Sequence, residues 1–224
     1  MMQLAAEREQ VVRYGREMLD RGLTHATGGN LSVCDGSRLL VAISPSGIDY
    51  REVTPAQVPV VDFDGRMVDG TAAPSSELAM HLAVYRARDD LHALVHTHSV
   101  YAATLACMER DIPPVHYLIG MAGGTVRCAP YATFGTPALA RAAVDGMAQR
   151  KAVLLARHGV LAGERDLPRA LDVAETVEYC ARIYYQCLQI GTPEPLAADA
   201  MAAVMEQFAG YGRRDVQTLD QQER

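Results

Sequence analysis

Between Leu4 and Arg21 the apolar residues Leu4, Val11, Val12, Tyr14 and Leu19 are spread among charges in the manner of an amphipathic helix. The polar break Thr27-Gly28-Gly29-Asn30 ends that pattern and leads into a strand at Leu31-Ser32-Val33. A second strand is predicted at Leu39-Leu40-Val41-Ala42-Ile43, closed by the turn Ser44-Pro45-Ser46-Gly47. A third, Val58-Pro59-Val60-Val61-Asp62, meets the hairpin turn Asp64-Gly65. Pro74-Ser75-Ser76-Glu77 predicts a helix start, with serine oxygens as caps, Glu77 in the first turn and an end near Arg88. A strand carrying His96 and His98 follows, then a short helix from Tyr101 to Met108. Thr136-Pro137 opens another helix, with threonine as N-cap and proline at the first helical position. The run Ala152-Val153-Leu154-Leu155-Ala156 is a further strand. The longest helix is predicted from Pro168 to Ile190 and a last one from Ala197 to Phe208, before a charged tail from Gly212 that is expected to fray.

Strands and helices are thus mixed, but many of the connections have hairpin character. The pattern predicts an α/β fold: a layered α-β-α domain with a central, mostly antiparallel or mixed sheet. At 224 residues, with no repeat or linker, the chain is expected to form one domain over 1–224. Its hydrophobic share of 49% and charged share of 21% are those of an ordinary globular protein. A net charge of −6 without a basic stripe argues against a nucleic-acid partner. No apolar run is long enough to span a bilayer, and the first residues lack the pattern of a signal peptide, so the expectation is no membrane association and a cytoplasmic location. The five cysteines form no Cys-x-x-Cys pair and are expected as free thiols in a reducing compartment.

Chemistry enters with three of the seven histidines: His96 and His98 in Leu94-Val95-His96-Thr97-His98, and His158 in Arg157-His158-Gly159. Strand side chains alternate with a period of two, so His96 and His98 share a face, where a third imidazole from a distant segment can join them. Three nitrogen ligands with an open position are the arrangement of a catalytic zinc. The bland alternative is that a His-x-His on a strand is structural. His25, His81 and His92 lack a partner by spacing and are expected at the surface or as satisfied structural residues; His116, beside Tyr117, can be either. Glu77 has an ordinary reading too, since acidic residues favour the first turn of any helix. Its functional reading requires that the helix start face the metal. Ser75 and Ser76 then offer hydroxyls, and the helix N-terminus its N–H groups, to a phosphate. Thr27-Gly28-Gly29-Asn30 and Ser46-Gly47 are similar in kind, and together these turns suggest a neutral amide-and-hydroxyl cradle. Lys151 is the only lysine, so Schiff-base chemistry would have to use it or none.

Taken in order, Thr27-Gly28-Gly29-Asn30, Ser46-Gly47, Ser75-Ser76-Glu77, His96-Thr97-His98 and Arg157-His158-Gly159 resemble the class II aldolase/adducin-head family. The resemblance runs from about Arg8 to Tyr211 and is nearest the L-fuculose-1-phosphate aldolase type over Ile112-Pro113-Pro114-Val115-His116-Tyr117 and Ala129 to Thr136. It implies a zinc ion, with manganese or cobalt as substitutes, held by His96, His98 and His158, with Glu77 near or on the metal. It implies a sugar-phosphate substrate whose phosphate is held by Gly29, Asn30, Ser46, Gly47, Ser75 and Ser76. Tyr117 matches a catalytic tyrosine that reaches the site of a neighbouring subunit in a C4 homotetramer, while Phe134 and Tyr211 match positions near the aldehyde end. The implied reaction is cleavage of a ketose 1-phosphate, L-fuculose 1-phosphate or a 5-deoxy- or 5-methylthio-pentulose 1-phosphate, to dihydroxyacetone phosphate and an aldehyde. Glu77 and Tyr117 would carry its protons. Rival readings are a sugar-phosphate 4-epimerase, whose family members resemble one another in having aspartate where this chain has Glu77, a dehydratase or decarboxylase, and a non-catalytic adducin-head domain, which lacks the metal histidines.

Overall fold

The computed structural model describes residues 2–210. Helix α1 (Ala5–Asp20) packs Val11, Val12 and Met18 inward, and Gly15 lets it come so close to Tyr50 that a Cβ there would lie 2.3 Å from the ring. Strands β1 (Asn30–Cys34), β2 (Leu40–Ile43), β3 (Val60–Asp62) and β4 (Met67–Asp69) follow as antiparallel neighbours. β3 starts two residues later than the sequence suggests. Pro59 has no N–H to donate, and its carbonyl accepts from Ile43 outside the regular ladder. The Asp64-Gly65 hairpin is present, with Gly65 at φ +82°.

Helix α2 (Leu78–Ala87), strand β5 (Ala93–Thr97) and helix α3 (Val100–Cys107) come next, then a 3₁₀ turn (Tyr117–Ala122), β6 (Arg127–Ala129) and α4 (Pro137–Gly146). Thr136 caps α4 by accepting from the Leu139 N–H, as its spacing predicts. Strands β7 (Ala152–Leu155) and β8 (Gly159–Glu164), α5 (Leu167–Ile190) and α6 (Ala198–Gly210) complete the order. Tyr211 and the charged tail from Gly212 lie outside the described residues.

The eight strands form one sheet in the order β4-β3-β2-β1-β5-β8-β7-β6. Every pairing is antiparallel except β6 with β7. Strands β1, β5 and β7 are buried along their whole length because helices cover both faces, so the expected α-β-α layering is what forms.

Alternation then decides what faces what. Leu31, Val33, Ala93, Val95, Val160 and Ala162 point into the core under α1, α3 and α5. Cys34, Leu94 and Leu161 point into the opposite core, under α2 and α4. By the same parity Asn30, Ser32 and His96 face α2. Since β1 and β5 are neighbours in register, with Asn30 opposite His96, polar residues from two strands meet the start of α2 inside the protein. Among the described residues no helix is long and apolar enough to cross a membrane. All five cysteines are free.

Candidate metal centre

His96 ends up fully buried, on the α2 side of β5, and its Nδ1 bonds the carbonyl of Val160 in the adjacent strand at 2.9 Å. A carbonyl only accepts, so Nδ1 carries the hydrogen and Nε2 presents a bare lone pair. His98 lies one residue beyond β5 yet keeps the strand parity, and its Nε2 is 3.0 Å from that of His96. His158 arrives from the turn between β7 and β8, with its Nε2 3.2 Å from that of His96. Arg157 holds φ +58° in that turn, and Gly159 lets the hairpin close on β5: a Cβ there would lie 2.3 Å from the Thr97 carbonyl and 3.0 Å from His98.

Glu77 completes the cluster. It occupies the N-cap position of α2 instead of its first turn, because the helical conformation begins only at Leu78. Ser75 Oγ accepts from the Glu77 N–H at 3.3 Å. The Glu77 carboxylate is buried. Oε2 sits 3.1 Å from His96 Nε2 and accepts from Asn30 Nδ2 at 2.9 Å, while Oε1 lies 3.7 Å from His158 Nε2 and has no hydrogen-bond partner. Burial alone would raise this carboxyl, but a proton taken up by His96 Nε2 would give it a hydrogen bond and a positive charge that, with His158 and Asn30, hold it well below the usual carboxylate range. Burial pushes His98 and His158 down to about 4, so both imidazoles are neutral at pH 7.

These residues fit a divalent ion. Three imidazole nitrogens converge, and a buried carboxylate oxygen without a partner would cost a few kcal/mol in that position unless a cation or a donor met it. The nitrogen separations of 3.0 and 3.2 Å approach the roughly 3.3 Å spanned by two nitrogens about 2.0–2.1 Å from one tetrahedral ion. All the donors are nitrogen and oxygen.

The polar turns gather beside this cluster. An isolated bridge between Pro45 and Pro74 lays Ser46-Gly47 next to Ser75-Ser76: Ser46 N–H donates to Ala73 O at 2.9 Å, and Ser75 N–H to Ser44 O at 3.1 Å. Ser44 also accepts from the Leu31 N–H, which ties the same corner to β1. Gly29, at φ +67°, passes so close to His96 that a Cβ would lie 2.5 Å from the His96 carbonyl. The loop bearing Phe134 comes to the same place, since a Cβ on Gly135 would be 3.1 Å from Ser76 O. Ser46, Ser76 and Phe134 are exposed there. Asn30, by contrast, is buried, and its amide is engaged by Glu77 and His81. Tyr117 is exposed and stacks on Phe208, with ring centroids 6.2 Å apart. Lys151 precedes β7 at the end opposite His158 and is ion-paired with Glu164, which removes it from Schiff-base chemistry at this site.

The family follows from comparison with known proteins. The profile of the class II aldolase and adducin N-terminal domain matches residues 9–185. The chain belongs to the class II aldolase family. It is 51% identical to a 5-deoxy-D-ribulose 1-phosphate aldolase of Bacillus thuringiensis serovar kurstaki over 95% of its own length and 100% of that protein. It is 43% identical to a 5-methylthioribulose-1-phosphate/5-deoxyribulose-1-phosphate aldolase of Rhodospirillum rubrum, over 92% of this chain and 93% of that one. Among solved structures it superposes on an L-fuculose 1-phosphate aldolase with a TM-score of 0.91 and 44% identity, covering 93% of this chain and 98% of the other. The chain is therefore a metal-dependent aldolase, and the His96, His98 and His158 cluster agrees with the divalent-metal requirement of the family.

By spacing alone His81 has no partner and is expected at the surface or as a satisfied structural residue. The structure satisfies it, but with partners that lead to the site. It is fully buried between Ser32 and Asn30, and burial pushes it down to about 3. The signal was present in the spacing: Glu77, His81 and Tyr85 fall four residues apart and so share one helix face.

Proposed function

We propose that this chain is a zinc aldolase that cleaves 5-deoxyribulose 1-phosphate, or its 5-methylthio counterpart, to dihydroxyacetone phosphate and a short aldehyde. The observation that carries the chemistry is the convergence of three imidazole nitrogens on one another beside a buried carboxylate, one oxygen of which has no hydrogen-bond partner. The 51% identity to a 5-deoxy-D-ribulose 1-phosphate aldolase over the whole of that protein favours the 5-deoxy pentulose over L-fuculose 1-phosphate.

Cleaving the C3–C4 bond requires removal of the C4 hydroxyl proton and leaves negative charge on the ketose fragment. A divalent ion held by His96, His98 and His158, with Glu77 beside it, supplies Lewis-acid stabilisation of that charge. Glu77 Oε1 is the oxygen free to carry the proton at C3, giving it to the ketose fragment during cleavage and taking it during synthesis. The phosphate is assigned to the corner formed by Gly29, Asn30, Ser46, Gly47, Ser75 and Ser76. Glycine and serine there offer N–H and hydroxyl donors, and Asn30 keeps one Nδ2 hydrogen beyond the one given to Glu77. Phe134, exposed on the loop against Ser76, is assigned to the apolar end of the aldehyde, and Tyr211 joins it in this reading. Tyr117 is assigned the C4 hydroxyl proton. Its exposed ring, stacked on Phe208, supports delivery to a neighbouring copy in a C4 homotetramer. The five free thiols support a reducing, cytoplasmic setting.

Competing-substrate assays of dihydroxyacetone phosphate release test the assignment. The expected kcat/KM for 5-deoxyribulose 1-phosphate exceeds that for L-fuculose 1-phosphate by about tenfold or more, in keeping with what an apolar wall gains by excluding one extra hydroxylated carbon. The reverse order would move the substrate to L-fuculose 1-phosphate.

A further inference from the structure

Behind Glu77 a file of buried polar side chains crosses from β1 to α2, and each hydrogen bond from Glu77 to Ser32 has one direction. A carboxylate only accepts, so at 2.9 Å from Glu77 Oε2 the Asn30 amide must present its nitrogen. That turns Asn30 Oδ1, an acceptor, toward His81 Nε2 at 2.6 Å, and this ring nitrogen must carry the hydrogen. His81 is fully buried and neutral, so its Nδ1 is a bare acceptor, and Ser32 Oγ at 2.7 Å donates to it. Ser32 has then used its only hydrogen. Tyr85 OH, 2.7 Å from Ser32 Oγ and 3.1 Å from the Ser32 carbonyl, has one hydrogen to give to either of these acceptors.

We propose that His81 is a positioning residue for Glu77: with hydrogen on Nε2 it locks the amide of Asn30 with nitrogen toward the carboxylate, and Ser32 Oγ serves that tautomer by donating to Nδ1. Glu77 Oε2 is thereby clamped, and Oε1 is left for the reaction. The opposite amide orientation would set Asn30 Oδ1 against the carboxylate and drive Glu77 from its place. A tautomer with hydrogen on Nδ1 would favour that orientation, because its Nε2 would demand the amide N–H. The network runs through full burial, where hydrogen bonds are strong and an unsatisfied member is costly, so it acts as a unit.

The functional side of this inference rests on Glu77 as the proton carrier; the tautomer does not. Two measurements on the full chain separate them. In ¹⁵N-edited spectra of metal-free protein at pH 7, His81 is expected as the neutral tautomer with hydrogen on Nε2. A signal for hydrogen on Nδ1 would overturn the proposal whatever the activity. In metal-loaded enzyme, His81→Leu is expected to lower kcat for proton exchange at C3 of dihydroxyacetone phosphate by about 10–100-fold, the usual cost of losing such an outer partner, with KM and metal content within twofold. His81→Gln, whose amide can donate to Asn30 Oδ1, is expected to recover most of that loss. A His81→Leu enzyme within twofold of the parent kcat, or equal losses in the two variants, would overturn the proposal. Should His81→Leu fail to fold, the tautomer of the parent chain and the His81→Gln kinetics decide. Undiminished exchange in Glu77→Gln would instead remove the proton-carrier reading and leave the tautomer result standing.

Discussion

Replacing His158 with alanine is expected to abolish stable metal retention and to lower kcat/KM for aldol cleavage by about 10³–10⁴-fold. Three imidazoles are assigned as the neutral ligands, and losing one weakens the hold on the ion until dialysis removes it, because the Glu77 Oε2 that could replace it is engaged by Asn30. Lewis-acid stabilisation contributes several kcal/mol to such a reaction, and each 1.36 kcal/mol or so is a factor of ten. His158 is the ligand of choice for this test. It sits half-buried in a turn between strands, whereas His96 is fully buried and bonded to Val160, so its loss would also disturb the sheet. Metal content after dialysis, circular dichroism and dihydroxyacetone phosphate release check the outcome together. A folded His158→Ala protein that keeps stoichiometric metal and more than a tenth of the activity would exclude the triad as the metal site.

Replacing Glu77 with glutamine separates proton transfer from metal binding. The change is nearly isosteric, and a glutamine carbonyl can still accept from Asn30 Nδ2, so the start of α2 should hold. Metal occupancy is expected to stay within twofold because the three histidines remain. Cleavage should fall by about 10²–10⁴-fold, the range for loss of a positioned general acid or base. Exchange of the C3 hydrogen of dihydroxyacetone phosphate with solvent should fall at least as far, since it isolates the step assigned to Oε1. Normal exchange with impaired cleavage would transfer Glu77 from proton carrier to metal ligand alone.

Much of this architecture is legible in the sequence because it is local. Alternation fixes which strand residues share a face, so the convergence of His96 with His98 follows from spacing alone. The cap at Thr136 follows from backbone donors that a helix start leaves open. The serine cap expected for α2 does not form, because Glu77 holds the N-cap and Ser75 Oγ accepts from the Glu77 N–H instead. The order of strands is another matter. That β1 lies between β2 and β5, and that β6 runs parallel to β7, depends on contacts between segments far apart in the chain. Those contacts are what bring the site together. Glu77, His81 and Tyr85 show their common face in the sequence, but only the pairing of Asn30 with His96 shows that β1 delivers the partners that face needs. The same holds for the Pro45–Pro74 bridge, which joins two turns that look unrelated in the chain. His158 was identifiable by its glycine neighbour, and the structure supplies the reason: only glycine at 159 lets the hairpin close against Thr97 and His98.

Cleavage of a ketose 1-phosphate by this chain is assigned to a divalent ion at the histidine cluster. It is tested most directly by dihydroxyacetone phosphate release from 5-deoxyribulose 1-phosphate, using one preparation before chelation, after removal of the metal, and after adding zinc back. Release by the untreated enzyme is expected, with loss of at least about 99% of it on chelation and recovery with zinc in proportion to occupancy of His96, His98 and His158. Full release by protein shown to be metal-free, or none from any ketose 1-phosphate by fully loaded protein, would contradict that assignment.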